Sequence, residues 1–104
     1  MNEDLKNYTL LNEEDLDTIE TYASLKYSLY EIALMMDLDI VELRNRMMNK
    51  NDPVYRRYTA GKLKSELKYR TAVLKKAESG EQWAVERLEA WKIKQTEEEL
   101  GCHE

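Results

Sequence analysis

Four closely spaced residues, Arg44, Asn45, Arg46 and Asn49, carry groups that can read DNA bases, since Asn pairs with adenine and Arg with guanine in the major groove. Upstream, Tyr27, Ser28 and Tyr30 offer hydroxyls of the kind that bond a phosphate, and Lys50, Arg56 and Arg57 add positive charge. Catalytic chemistry is poorly provided for. The single histidine, His103, stands beside the single cysteine, Cys102, with no zinc spacing and no disulfide partner, and a mobile tail is expected there. The phrase TAGKLK lacks the upstream glycine and the Ser/Thr after lysine that a phosphate-binding loop requires. Adjacent acids such as Glu13 and Glu14 read as surface charge rather than a catalytic dyad. The expectation is a chain that is no enzyme and needs neither cofactor nor metal.

Base-reading side chains need a helix that presents them and a second element that braces it. The stretch SLYEIALMMDLDIVELRNRM, residues 28 to 47, has that form. Ser28 followed by Glu31 is a capping-box signature that starts a helix at Leu29, burying Ile32, Ala33 and Met36; Asp39 with Glu42 repeats the signature and starts another, with Ile40, Leu43 and Met47 inward. Between them Asp37 can take the left-handed backbone of a sharp turn and Leu38 can plug the angle. A small residue at Ala33, with apolar Leu38, Ile40 and Leu43, meets the packing demands of a helix-turn-helix. The outward arc then runs through Glu42, Asn45 and Asn49, flanked by Arg46, with Arg44 nearer the edge. Glu42 and Asp39 would repel a phosphate backbone, so one copy is expected to bind weakly and several copies together to bind well.

The remaining elements follow from their own signals. Asn12, with Glu13, Glu14 and Asp15 behind it, caps a first helix over 13 to 25 built on Leu16, Ile19 and Ala23. Before it, Leu5, Tyr8, Leu10 and Leu11 could pin the first residues onto the domain. Asp52 with Pro53 restarts the chain as a long helix over 53 to 78, with Tyr55, Tyr58, Leu63, Leu67, Leu74 and Ala77 near one stripe and Gly61 marking a bend or a close helix contact. Ser79 and Gln82 can cap a last helix bearing Trp83, Ala84, Leu88 and Trp91, which returns as an antiparallel hairpin. The expected fold is all-α: a helix-turn-helix unit over 1–50, a helical hairpin over 51–96 and a flexible acidic tail over 97–104. Leu63, Leu67, Tyr69, Leu74, Trp83, Leu88 and Trp91 exceed what two helices need to cover each other. Their surplus is expected to pack either on neighbouring subunits or on the N-terminal unit.

Bulk numbers narrow the reading. At 104 residues there is room for one modest domain, and 36% charged residues with three glycines and one proline favour solvated helices over a sheet. No long uncharged apolar run suggests a membrane span and MNEDLKNYTLL lacks the form of a signal peptide, so a cytoplasmic location is expected. Charge is segmental: residues 1–43 hold eleven acids against two lysines, 44–76 eleven bases against two acids, and 77–104 eight acids against three bases. Because exposed charges are largely screened beyond about 10 Å, a basic middle can attract phosphate although the whole chain is acidic.

The helix-turn-helix in YSLYEIALMMDLDIVELRNRM, followed by YRRYTAGKLKSELKYRTAVLKKAESGEQWAVERLEAW, resembles the small terminase subunits of tailed bacteriophages and prophages. The likeness covers about residues 13 to 94. It implies that Arg44, Asn45 and Arg46 take part in recognising viral DNA, and that the hairpin over 54–96 assembles subunits into a ring. That ring would present double-stranded DNA to a large, ATP-hydrolysing terminase subunit, in the cytoplasm of a bacterial host. Two other readings compete: a small dimeric helix-turn-helix transcriptional regulator, and a helical interaction protein without DNA binding.

Overall fold

The computed structural model describes residues 9–101, and all its regular structure is helical: α1 (Glu13–Ser24), α2 (Leu29–Met36), α3 (Ile40–Arg46), α4 (Pro53–Glu78) and α5 (Gln82–Gly101). Leu5, Tyr8, Cys102 and His103 lie outside the described residues.

Short polar side chains start these helices where the sequence places them. Asn12 accepts the Asp15 amide at 2.8 Å while the Asp15 carboxylate accepts the Asn12 amide at 3.1 Å, a complete capping box. Ser28 and Glu31 form a second, at 3.2 and 2.9 Å. At α4, Asp52 accepts the Val54 amide at 2.8 Å, and Pro53 occupies the first helical position, where its missing N–H costs nothing. Helix ends share one device. Lys26, Asp37 and Gly80 have positive φ, and the next amide reaches back five residues: Tyr27 to Tyr22, Leu38 to Ala33, Glu81 to Lys76. The expected cap by Ser79 does not form, because its hydroxyl donates instead to the Lys76 carbonyl at the end of α4.

The division between two compact units falls between Glu66 and Leu67, inside α4, rather than near residue 50. The first unit buries Leu16, Ile19 and Ala23 of α1, Ile32 and Ala33 of α2, Leu43 of α3 and Val54 of α4 in one cluster. Partly buried Leu11, Met36, Leu38, Ile40, Met47 and Tyr58 pack against it. Each fully buried aliphatic here contributes about 1.5–3 kcal/mol. The start of α4 therefore belongs to the first unit, with Val54, Tyr58 and Gly61, at i, i+4 and i+7, as its inner line. Gly61 marks a close helix contact: a Cβ there would overlap the Glu20 carbonyl oxygen and lie 2.8 Å from the Ala23 Cβ. In the second unit Val73 and Ala84 are buried, and the Tyr69 ring meets the Trp91 ring edge-on at 6.0 Å. Leu10, at 96% exposure, pins nothing, and residues 97–101 continue α5 instead of fraying.

Ionic contacts reinforce the α1–α4 approach. Arg57 bonds Glu20 at 2.7 Å and Glu13 at 2.6 Å, and also Asp17; Lys64, two turns further along α4, bonds Glu20 as well. The Lys64 ammonium, then the Arg57 guanidinium, hold the Glu20 carboxyl below its ordinary 4.5, while Glu20, followed by Glu13, holds Arg57 above its usual range.

Two outcomes are expected. Gly61→Ala gains about 1 kcal/mol of helix propensity but forces α1 and α4 apart, so a urea melt should show a net loss of about 2 kcal/mol. Because the folded-state pKa of Glu20 lies below 4.5, its contribution is present above 4.5 and is lost as the pH falls through that depressed value. In acid titrations followed by circular dichroism, Glu20→Gln should lose less stability than the wild type over that window.

Candidate nucleic-acid interface

The turn between α2 and α3 is sharp because Asp37 adopts φ 57°, ψ 48° and the Leu38 amide closes onto the Ala33 carbonyl at 2.8 Å. The Asp39 carboxylate then accepts the Val41 amide at 2.8 Å and starts α3. Asp39 therefore caps α3, but the expected capping box with Glu42 does not form. Glu42 turns away and accepts both the amide and the hydroxyl of Thr9, the latter at 3.1 Å.

With Leu43 buried and Ile40 and Met47 packed on the core, the outward line of α3 is Val41, Arg44 and Asn45, at i, i+3 and i+4, and Met48 follows in the turn just past the helix end. Val41 is 58% and Met48 85% exposed. Asn49, Lys50 and Arg56 follow, all exposed, and among the described residues Arg44, Lys50 and Arg56 make no ion pair. Asn49 uses its side-chain carbonyl to accept the Asn51 amide at 2.9 Å, which leaves its NH₂ group as the part able to reach a partner. On α2, Ser28 keeps a hydroxyl proton to donate while its oxygen caps the helix, and Tyr30 is exposed. An exposed face of two polar readers between two apolar side chains suits a base-pair edge, where apolar groups meet the thymine methyl.

Two expected site residues are committed elsewhere. Arg46 does not flank the outward arc as a probe: it is buried, its Nε 3.0 Å from both Asp52 oxygens, its Nη1 3.0 Å from the Thr9 carbonyl and 4.0 Å from Glu42. A guanidinium so enclosed serves the two carboxylates beside it and cannot reach a base. Arg57 likewise spends its charge on Glu13, Asp17 and Glu20. Glu42 is corrected too. Its side chain is only 13% exposed and lies against Arg46, so it is not an outward charge repelling a phosphate backbone.

Of the residues expected at an oligomer interface, Leu63, Leu67, Tyr69, Leu74 and Trp83 are exposed in the chain, at 62, 67, 44, 44 and 47%. Leu88 and Trp91 are half-buried. The Trp91 face is already covered by the Arg70 guanidinium, 4.3 Å from the ring centroid, and Tyr69 accepts a hydrogen bond from Arg87. The expected stripe on α4 thus splits: Tyr55 and Tyr58 are half-buried, whereas the leucines face solvent.

Sequence reasoning missed Val41, Met48 and Thr9. The seven-residue spacing of two apolar residues opposite the Leu43 face was a signal for the first two. Nothing local marked Thr9, whose partners lie 33 and 37 residues away.

Removing Arg46 strands Asp52 and Glu42 in a poorly hydrated site. Arg46→Ala should therefore cost about 3 kcal/mol in a denaturant melt. Arg46→Lys should restore only part of that, since an ammonium cannot span the same acceptors. Arg44→Ala, on the exposed line, should stay within about 0.5 kcal/mol of the wild type.

Among the described residues no helix is long and apolar enough to cross a membrane, and no cluster of three or more His, Cys, Asp or Glu could hold a metal ion. Compared with known proteins, the chain matches no family model, no curated protein and no solved structure.

Proposed function

We propose that this chain is a non-catalytic DNA-binding component of a bacteriophage DNA-packaging machine. Its helix-turn-helix meets duplex DNA, and its hairpin assembles copies of the chain into an oligomeric ring that serves a large terminase subunit. The observation that carries the DNA reading is the exposed face of α3 with Val41, Arg44 and Asn45, followed by Met48 just past its end, with Lys50 and Arg56 lacking any acidic partner among the described residues. In this reading Arg44 and Asn45 contact bases. Lys50, Arg56, Ser28 and Tyr30 contact phosphates, and the Asn49 amide supports them. The exposed Leu67, Leu74 and Trp83 give the hairpin apolar surface to bury against another copy. The link to packaging rests on the resemblance of the sequence to small terminase subunits.

The test is duplex binding across a salt series. The wild type should show a steep loss of affinity with salt, and Arg44→Ala should cost about 1–3 kcal/mol and relax sequence preference. Lys50→Ala and Arg56→Ala should each weaken all duplexes alike and reduce the salt slope by about 0.9. Absence of binding to any duplex at low salt would sink the reading. Mass in solution separates the assemblies: about eight or more subunits supports a packaging ring, whereas two subunits favours a dimeric transcriptional regulator.

A further inference from the structure

Beside the start of α2 the first unit holds a cleft of about 170 Å³, set between the α1–α2 turn and α4. It is lined by Ala23, Lys26, Tyr27, Ser28, Tyr58, Lys62 and Glu66, more by their apolar atoms than by their polar ones. Two cations against one anion leave the lining with a net positive charge. The Lys62 amine lies 5.6 Å from the centroid of the Tyr58 ring, and the Lys26 amine, on a largely exposed side chain, stands 4.0 Å from Glu66. Lys26 also occupies a left-handed position, φ 75°, in which glycine would be at ease.

We infer that this cleft is a phosphate-binding pocket in which Lys26 and Lys62 grip one phosphodiester of the DNA backbone, with the Ser28 and Tyr27 hydroxyls donating to it. The inference rests on the DNA reading above and deepens it by adding two residues outside the α3 face. A phosphodiester carries one negative charge, which matches the excess of one positive charge in the lining. The Tyr58 ring gives the adjoining sugar an apolar wall. Glu66 competes with the phosphate for Lys26, so it sets the strength of the grip. The cleft adjoins the first residues of α2, whose Ser28 hydroxyl and Tyr30 are already proposed phosphate contacts. A second anchor on the same strand would fix the register of α3 on the duplex.

The experiment is duplex binding by the full chain in a salt series, with Arg44→Ala as the reference variant. The Lys26→Gln, Lys62→Gln double variant should bind every duplex about tenfold more weakly and lower the salt slope by about 1.8, since two cation contacts are lost. Glu66→Gln should tighten binding, and adding Lys26→Gln should abolish that gain. Lys26→Gly relieves the left-handed backbone, so weaker binding by this variant at an unchanged or higher melting temperature cannot be blamed on unfolding. If the wild type binds and Arg44→Ala weakens it, but the lysine variants keep full affinity and slope, the pocket is overturned and the DNA reading stands. If no duplex binds, the DNA reading fails. In that case titration with inorganic phosphate decides: amide shifts confined to residues 26–28 and 62 mean a phosphate site fed from another source and overturn the phosphodiester assignment, while no shift overturns the pocket itself.

Discussion

The first unit depends on one buried cation. Arg46 ends α3, and its guanidinium joins Asp52, whose carboxylate at the same time caps α4, and the backbone at Thr9. Enclosing a guanidinium is costly, and the cost is offset only where several acceptors converge on it with good geometry. Here they do: Nε meets both Asp52 oxygens at 3.0 Å and Nη1 meets a carbonyl at 3.0 Å. The end of α3, the start of α4 and the distant segment at Thr9 are thereby tied at one point. Helix α3 has only seven residues, too few to be stable alone. Its geometry comes from Asp39 at one end, Arg46 at the other and Leu43 in the core between them.

The acidic balance of the chain reads differently once the ion pairs are placed. Segment counts give a basic middle between two acidic blocks. Yet Glu13, Asp17 and Glu20 are spent on Arg57 and Lys64, and Glu42 and Asp52 on Arg46. These five acids of the first unit are thus paired with cations, Glu13 and Asp17 at the surface and Glu42 and Asp52 in the interior. Among the described residues of the first unit, Arg44, Lys50, Arg56 and Lys62 have no acidic partner, and the first three stand on or after the outward line of α3. Net charge was thus a poor guide to what the surface can attract, because it sums groups paired with one another and groups without a partner.

Helix starts were legible in the sequence because capping is local: a side chain at Asn12, Ser28, Asp39 or Asp52 bonds an amide two or three residues on. The all-α class and the left-handed turn at Asp37 came from the same short-range chemistry, whereas Gly61 left a bend and a close helix contact equally open. Long-range facts were not legible. Periodicity put Arg46 beside the outward arc, and a residue on that flank can swing either way. Its direction is set by Asp52 and by Thr9, 37 residues away. The inner line of α4 was misread for a related reason. Leucines outrank glycine on any hydropathy scale, but contact with α1 demands the smallest residue, so Gly61 faces inward and Leu63 outward. The end of α5 was lost to composition, since repeated glutamates suggest fraying when they are also good helix formers.

The three left-handed helix ends separate the two units in character. In the second unit the position is filled by Gly80, with open space around its Cα and no steric cost. In the first unit the same backbone state is imposed on Lys26 and Asp37, each at a cost of about 1 kcal/mol. Asp37 adds a second cost, because a negative charge at the C-terminal end of α2 opposes the helix dipole. Strained turns persist only where the surrounding packing leaves the chain no easier path. Here that packing is Ile32 and Ala33 on one side of the Asp37 turn and Leu43 on the other, all at or below 2% exposure. A core that can hold two such turns fixes the relation of α2 to α3, and with it the place where Arg44 and Asn45 emerge. A hairpin turn relaxed by glycine does no such work for α5, and the second unit depends instead on the aromatic and cationic contacts of Tyr69, Arg70 and Trp91.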